Sequence, residues 1–473
     1  MSIKYQVPQE YYFRLHHVRP RFKNNLENVL FFISNEIASM GVTRKRDFKV
    51  NFDSAIRAFP GNVSAHRKTI ANWRTEIDAL FGFVKYENGQ AIPMRLASEL
   101  AQDQDLVKFF KIFCYKFEYP NGGLKPQKVK EMLRANIKFR PAPYILNLLR
   151  HAEVSTQGRY GITKAEATHC IFNDLRVTRD DRAVEETFQL IEQNKNQSLE
   201  YDIAGDVIRY AGDFLDYMCQ AQLLKRQPNK RYYLNTVEGL AIDRFCSSDS
   251  SFRGYEGINL DADRLEVKRS LAEAENDWID YLNAPLGEGY FDTDILALFT
   301  NDNPERYEEI LASLESNIEE ALEEYQEMRI GDVGEGLVVN HEILSLIQAD
   351  RRDLTHLVKL IPSHFAVGYD VSSREFDDSA KLIEVKTTAS NRDLTFSRFH
   401  LTPNEWKTAE SFGERYYIYR LSVTPNDIKL HVLQDPVGLY RSNLLCMSLE
   451  NSGGVTITFD ENTCGWSADL MIG

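Results

Sequence analysis

The apolar and polar positions of this 473-residue chain change their period several times. From residue 1 to about 150 most of the pattern is helical, with apolar residues recurring every three or four positions. In the stretch from Val63 to Gly82, the residues Ile70, Trp73, Ile77 and Phe81 form one such stripe. A helix with that face against a core is predicted there. The next residues, GFVKYENGQAIPMRLASELA from Gly82, place two short strand-like runs around Asn88-Gly89. That dipeptide supplies the positive φ angles of a tight hairpin. A second run of the same kind, QLLKRQPNKRYYLNTVEGLA from Gln222, also follows an amphipathic segment.

Helix, helix and a two-stranded wing is the order of a winged-helix module, so two such modules are expected. The segment PAPYILNLLRHAEVSTQGRYGITKAEATHCIF from Pro141 resembles a further helix-turn-helix fragment, and Thr163 and Glu166 have capping-box spacing. Pro304–Met328 predicts a long acidic helix, a spacer or a dimer contact, with apolar positions too sparse for a coiled coil. Beyond about residue 331 helix alternates with strand. Ile330 opens a glycine-rich lead-in to a helix, with Glu335 in its first turn, where a carboxylate complements the helix dipole. HFAVGYDV and AKLIEVKTT read as strands joined by the polar turn REFDDS. Thr402-Pro403-Asn404-Glu405 is a capping box with proline at the first helical position, and YYIYRLSV reads as a buried strand.

Four regions follow. Residues 1–150 are a winged-helix-like region, and 151–250 a second winged-helix-like module. Residues 251–330 are an acidic helical linker, and 331–473 a C-terminal α/β domain. The expected fold class is multidomain, with a mainly α N-terminal region and an α/β C-terminal domain.

Charge changes the picture next. A net charge of −14 argues at first against a polyanionic partner. Its distribution argues the other way: basic residues exceed acidic ones by 12 in residues 1–150, and fall short by 11 in 151–300 and by 15 in 301–473. Binding to a polyanion follows the local field, not the total. The candidate contacts to double-stranded DNA are Arg44, Lys45 and Arg46 before the first module's helices, Arg67, Lys68 and Arg74 off the apolar stripe, and Lys225, Arg226, Lys230 and Arg231 on the second wing.

Other chemistries find little support. No apolar run reaches the roughly 18–20 residues of a membrane span. The first residues lack the layout of a signal peptide, so a cytoplasmic location is expected. No cysteine pair has metal-ligand or redox spacing, and His341, His356, His364 and His400 form no ligand pattern. There is no phosphate-binding G-x-x-x-x-G-K-[ST] loop, so ATP use is not expected, and no G-x-S-x-G elbow.

The informative chemistry lies between Gly368 and Thr388. Glu384 and Lys386 are two residues apart on a strand and so share a face, and a hairpin can bring Asp370 beside them. Two carboxylates and a lysine on one patch make poor packing, because like charges repel. A Mg²⁺ ion, or Mn²⁺ in its place, removes the repulsion, and the Val385 carbonyl is a further candidate ligand. Such a metal activates water and polarises a phosphodiester, and Lys386 can orient or deprotonate that water.

This is the PD-(D/E)XK pattern, with Tyr369 in place of the proline. GDVGEGLVV, GYDV, IEVKTT, LTPNEW and YYIYRL, in this order, resemble the NO VEIN-type C-terminal domain, a branch of that nuclease superfamily. The resemblance implies a restriction-endonuclease-like fold, a mixed sheet flanked by helices. It also implies Asp370 and Glu384 as metal ligands, Lys386 as the catalytic lysine, and Glu335 joining the metal site. Glu405 and Thr388 fall on family positions, with capping and strand structure as their roles. The N-terminal layout resembles winged-helix recognition regions of restriction endonucleases, at the level of fold only. The expected function is a Mg²⁺-dependent DNA endonuclease in restriction or phage defence, with a homodimer as one route to cutting both strands. A DNA-binding regulator or scaffold with an inactive nuclease-like domain, and an RNA-directed nuclease, are the alternatives.

Overall fold

The computed structural model describes residues 4–472 apart from 17–25, 60–61, 63–64, 206, 288, 292, 294–297, 299–304, 307, 312–329, 362–366, 395–396 and 450–453. Most of the acidic helix expected at Pro304–Met328 lies outside the described residues. No described helix is long and apolar enough to cross a membrane. All six cysteines are free thiols.

The chain folds into two compact units. One comprises Met1–Lys23, Val42–Leu96 and Val107–Leu286, the other Asn24–Gly41, Ala97–Leu106 and Gly287–Gly473. The four regions read from the sequence and these two units divide the chain differently, because two stretches of the first 150 residues cluster with the C-terminal part.

Helix α1 (Leu26–Met40), of the second unit, precedes β1 (Thr43–Arg44), α2 (Lys45–Ala58) and α3 (Arg67–Phe81). The hairpin β2 (Val84–Glu87) and β3 (Gln90–Pro93) completes an antiparallel sheet of order β1-β3-β2. The predicted stripe of α3 is buried at Ile70, Trp73, Ile77 and Phe81. Asn88 and Gly89 turn the hairpin at φ 48° and 77°, the left-handed pair expected of that dipeptide. Helix α4 (Arg95–Asp103) leads to α5 (Leu106–Lys116), α6 (Pro126–Arg134) and α7 (Pro141–Thr156). After β4 (Gly161–Ile162) come the short α8 (Lys164–Ala167) and α9 (Leu175–Thr178), then α10 (Val184–Asn196) and α11 (Arg209–Gln220). The hairpin β5 (Leu224–Arg226) and β6 (Tyr232–Leu234) joins β4 in a second sheet of order β4-β6-β5. Helices α12 (Gly239–Cys246) and α13 (Arg264–Asn283) close the unit. Its core is aromatic: Phe81, Phe109, Phe110, Phe113 and Tyr217 pack with ring centroids 5.2–6.5 Å apart, mostly in the tilted and edge-on arrangements their quadrupoles favour.

The second unit centres on a mixed six-stranded sheet of order β15-β12-β11-β9-β8-β7. Its strands are β7 (Lys359–Leu360), β8 (Val371–Arg374), β9 (Ala380–Ala389), β11 (Tyr416–Val423), β12 (Ile428–Gln434) and β15 (Trp466–Ala468). The pair β9 and β11 is parallel, with Ile418 opposite Glu384, and its neighbours are antiparallel. Helix α14 (Ile330–Gln348) covers one face. There the buried Glu342 accepts hydrogen bonds from Ser373 (2.7 Å), Lys381 (3.2 Å) and Tyr419 (2.6 Å). The other face meets α15 (Pro403–Phe412), α16 (Pro436–Arg441) and the antiparallel sheet β10-β14-β13, made of β10 (Ser397–Leu401), β13 (Leu445–Leu449) and β14 (Val455–Phe459). Leu382, Tyr416, Ile418, Phe399, Leu401 and Ile457 form the core between them.

Two local expectations change. The strand read from HFAVGYDV begins only at Val371, after Asp370, and residues 362–366 lie outside the described ones. Gly368 has φ +83°, and a Cβ there would lie 2.4 Å from Thr408 Oγ1. The chain before the strand is thus bent against α15 instead of extended. The glycine-rich lead-in at Ile330 is itself helical, so Glu335 lies beyond the first turn. The glycine serves close packing: a Cβ on Gly334 would lie 2.0 Å from Thr387 Oγ1.

Candidate active site

The local sequence sets the geometry. Strand β8 ends its pairing with β9 at Val371–Ile383, and Asp370 closes it with its N–H on the Ile383 carbonyl at 2.9 Å. Beyond that point the β8-side edge of β9 has no β8 partner. The Asp370 carboxylate takes the strand's place, with its Oδ2 accepting the Val385 N–H at 2.7 Å. In an extended strand the N–H and C=O of one residue point to the same edge. The Val385 carbonyl therefore faces the Asp370 side.

Glu384 and Lys386 share the face opposite α14, since Ile418 and Arg420 pair with them and Ile418 belongs to the core of that face. The Lys386 ammonium donates to Glu384 Oε1 at 2.7 Å and to Glu405 Oε2 at 3.2 Å. Glu405 comes from the first turn of α15. The capping box expected there is present, so the same carboxylate accepts the Thr402 N–H at 2.9 Å. Glu384 is buried, with 3% of its surface exposed. The structure thus brings together Asp370, Glu384 and Lys386, as expected, and adds Glu405. Glu335 stands on α14 beside Gly334, whose backbone meets Thr387 from the other face of β9.

The electrostatics follow from this crowding. Burial raises the Glu384 carboxyl well above its ordinary range; Lys386 opposes the shift, while Asp370 and Glu405 add to it. Asp370 is raised for the same first reason. Burial alone would lower Lys386, yet Glu384, Glu405 and Asp370 hold it above the usual lysine range. Burial works against Glu405 too, but Lys386 and the Thr402 N–H outweigh it and hold that carboxyl low. The charge on Asp370 is one of the causes of the rise at Glu384, so the two carboxyls act on each other. Such a pair accommodates a shared proton or a cation, and two free negative charges only at a cost.

No group of three or more His, Cys, Asp or Glu side chains among the described residues is spaced as a metal site. A cation here would rest on two carboxylates and a backbone carbonyl, with water or phosphate completing its shell. Mg²⁺ takes that kind of sparse oxygen set. The spacing E-x-K and the hairpin made Asp370, Glu384 and Lys386 legible. The grip of Glu405 on Lys386 depends on how α15 crosses the sheet, and only its cap was written locally.

The basic residues divide by use. Arg44, Lys45, Arg46, Arg67 and Lys68 are exposed around α2 and α3, with the Lys45 ammonium 4.4 Å from the Tyr86 ring centre. Arg226 and Lys230 are exposed on the second wing, and Lys225 is half-buried. Arg74 pairs with Asp53. Arg231 bonds to the Gly161 carbonyl at 2.6 Å and to Glu166 at 3.0 and 3.2 Å. These last two guanidinium groups hold the first unit together.

A family model described as protein NO VEIN, C-terminal, matches residues 334–433, and one described as restriction endonuclease BpuJI, N-terminal, matches residues 5–279. The crystal structure of pyrene- and phenanthrene-modified DNA in complex with the BpuJ1 endonuclease binding domain is a structural neighbour, with TM-score 0.52 and 24% identity. The match covers 59% of this chain and 100% of that one, and at this identity the likeness is one of fold. No curated protein matches the chain. The N-terminal model spans more than half of the sequence, so the chain belongs to the restriction endonuclease BpuJI N-terminal family.

Proposed function

We propose that this protein is a DNA endonuclease of the restriction or phage-defence kind, in which the N-terminal region binds double-stranded DNA and the Asp370–Glu384–Lys386 cluster hydrolyses a phosphodiester with Mg²⁺. The observation that carries the reading is the buried pair of raised carboxyls, Asp370 and Glu384, beside an ammonium on one edge of β9. A neighbour solved with DNA and the family match support the DNA side of the proposal. The two sheets of order β1-β3-β2 and β4-β6-β5, each closing a run of helices with a hairpin, support a winged-helix reading of both modules.

Asp370, Glu384 and the Val385 carbonyl would hold the metal, which supplies an activated water and neutralises charge on the phosphate. Lys386 is held protonated by three carboxylates, so its part is to orient the water and to stabilise the charge that builds on the phosphoryl oxygens. Glu405 fixes the ammonium from the α15 side. Glu335 is the remaining acidic candidate, on α14. Among the described residues this cluster occurs once, so cutting both strands would take two chains or two encounters.

The test is cleavage of supercoiled and phage DNA in Mg²⁺ or Mn²⁺ by the full chain. Asp370→Ala, Glu384→Ala and Lys386→Ala should each lose activity by roughly 10²–10⁴-fold while DNA binding is retained. Variants that cut like the parent would remove the site assignment. A parent that binds DNA but neither cuts it nor binds Mg²⁺ by calorimetry is a scaffold, and one that cuts only RNA is the RNA-directed enzyme.

A further inference from the structure

Strand β9 loses its β8 partner at Ile383, and an unpaired strand edge needs cover. Asp370 covers it at Val385. At Ala389 the cover comes from a distant part of the sequence, the residues just after α4. Gln104 accepts the Ala389 N–H on its backbone carbonyl at 3.3 Å, and Asp105 pairs with Ala389 as a parallel bridge. The Gln104 side chain then uses both ends of its amide. Its Oε1 accepts the Thr388 hydroxyl at 2.6 Å, and its Nε2 donates to the Arg398 carbonyl of β10 at 2.7 Å. Gln104 and Thr388 are buried, at 5% and 0% exposure. Gln104 holds a left-handed backbone at φ 51°, a conformation a side-chain-bearing residue adopts at a cost and keeps when its surroundings fix it. Asp105 is anchored in turn by the Thr293 hydroxyl at 2.8 Å.

Arg398 receives a second N-terminal segment as well. Its guanidinium donates to Glu36 of α1 at 2.8 Å, while its carbonyl takes Gln104. The two segments, 24–41 and 97–106, are the stretches of sequence immediately before and after β1–β3 and the helices between them. Residues 24–41 and 97–106 therefore hold β9 and, in the facing sheet, β10.

We propose that Gln104 is a positioning residue for the Asp370–Glu384–Lys386 cluster: it clamps the end of β9 two residues beyond Lys386. The inference rests on the endonuclease reading for its effect on cleavage, but the clamp is testable without it.

The substitution Gln104→Gly removes both side-chain bonds and suits the left-handed backbone, so it separates the clamp from simple misfolding. Thr388→Val removes the hydroxyl that Gln104 accepts, and Thr388→Ser restores one. In the full chain, amide exchange across residues 385–389 should speed up by about tenfold or more in Gln104→Gly and Thr388→Val and stay at the parent rate in Thr388→Ser. Single-turnover kcat on DNA should fall by roughly tenfold or more in the first two, with the Kd for DNA within about twofold of the parent. The double variant should be no slower than the worse single one, because both remove the same contact. Parent-like exchange in Gln104→Gly and Thr388→Val overturns the clamp, as does a Thr388→Ser chain as impaired as Thr388→Val. If Gln104→Gly does not fold, the Thr388 pair decides. Altered exchange with unchanged kcat overturns the positioning role, and a parent that cuts no DNA removes the endonuclease reading while the exchange result still judges the clamp.

Discussion

Glu405 does two jobs with one carboxylate: it closes the capping box of α15 and it holds the Lys386 ammonium. Glutamine serves the box as well as glutamate does, so Glu405→Gln keeps the cap and removes only the charge. Cleavage should fall by roughly 10–100-fold, the usual cost of losing a partner behind a reactive group. The melting temperature should fall by only a few degrees, because the cap stays while the charge that Lys386 holds low is lost. A large drop in melting temperature with activity intact would assign Glu405 to the helix alone. The raised carboxyls give a pH prediction of definite sign. Asp370 and Glu384 bind protons more tightly in the folded chain than in the unfolded one. Their contribution to stability is therefore full below the unfolded carboxylate value of about 4 and is lost as pH rises through the raised folded values. Glu405, held low, runs the other way and loses its share on acidification. A divalent cation competes with the protons on Asp370 and Glu384. The rise in melting temperature caused by Mg²⁺ should thus grow between about pH 5.5 and about pH 8.5 and vanish in Asp370→Ala. An equal rise at both values would show that the cation binds elsewhere.

Among the elements, those whose signal is local were legible in the sequence. Both capping boxes, at Thr163–Glu166 and Thr402–Glu405, and the Asn88-Gly89 hairpin form where three or four consecutive residues specify them. The placing of Glu384 and Lys386 on one face was legible for the same reason, because E-x-K on a strand fixes a shared face whatever the rest of the chain does. What escaped depends on contacts far apart in sequence. Gly334 looked like a helix lead-in because glycine is a poor helix former. It sits inside α14 because the helix passes so close to Thr387 that a Cβ has no room. Gln104, 284 residues from Thr388, carried no signal at all. Gly334→Ala tests this account at the level of packing. Helix propensity alone would add up to about 1 kcal/mol of stability. The close approach to Thr387 should reverse that sign and give a net loss of about 1–2 kcal/mol, as overpacking does. Thr387→Ala should recover part of it, since the Thr387 hydroxyl makes no hydrogen bond among the described residues. A more stable Gly334→Ala chain would mean that α14 moves away from β9 at no cost.

For the whole molecule the decisive property is where charge is free and where it is spent. The first 150 residues carry the basic excess on a chain that is acidic in total, so the proposed DNA binding would come from a few exposed groups acting over a short screening length. Arg44, Arg46, Arg67, Lys68, Arg226 and Lys230 are exposed, whereas Arg74 and Arg231 are committed to Asp53 and Glu166. The two sets should therefore fail in different ways. Each phosphate contact contributes about 0.9 to the slope of log Kd against log salt. Arg67→Ala and Lys68→Ala should each weaken binding and flatten that slope by about this amount if each touches one phosphate. Arg231→Ala should instead leave the buried Glu166 carboxylate short of its partner and lower the melting temperature, with little change in slope. The full chain is the right object for both measurements. Cutting it after residue 250 would strip α1 and residues 97–106 of the unit they fold with, and a loss of binding could then not be told from a loss of structure. If the slope is unchanged in Arg67→Ala and Lys68→Ala but flattens in Arg231→Ala, the DNA-facing surface is the second wing, not α3.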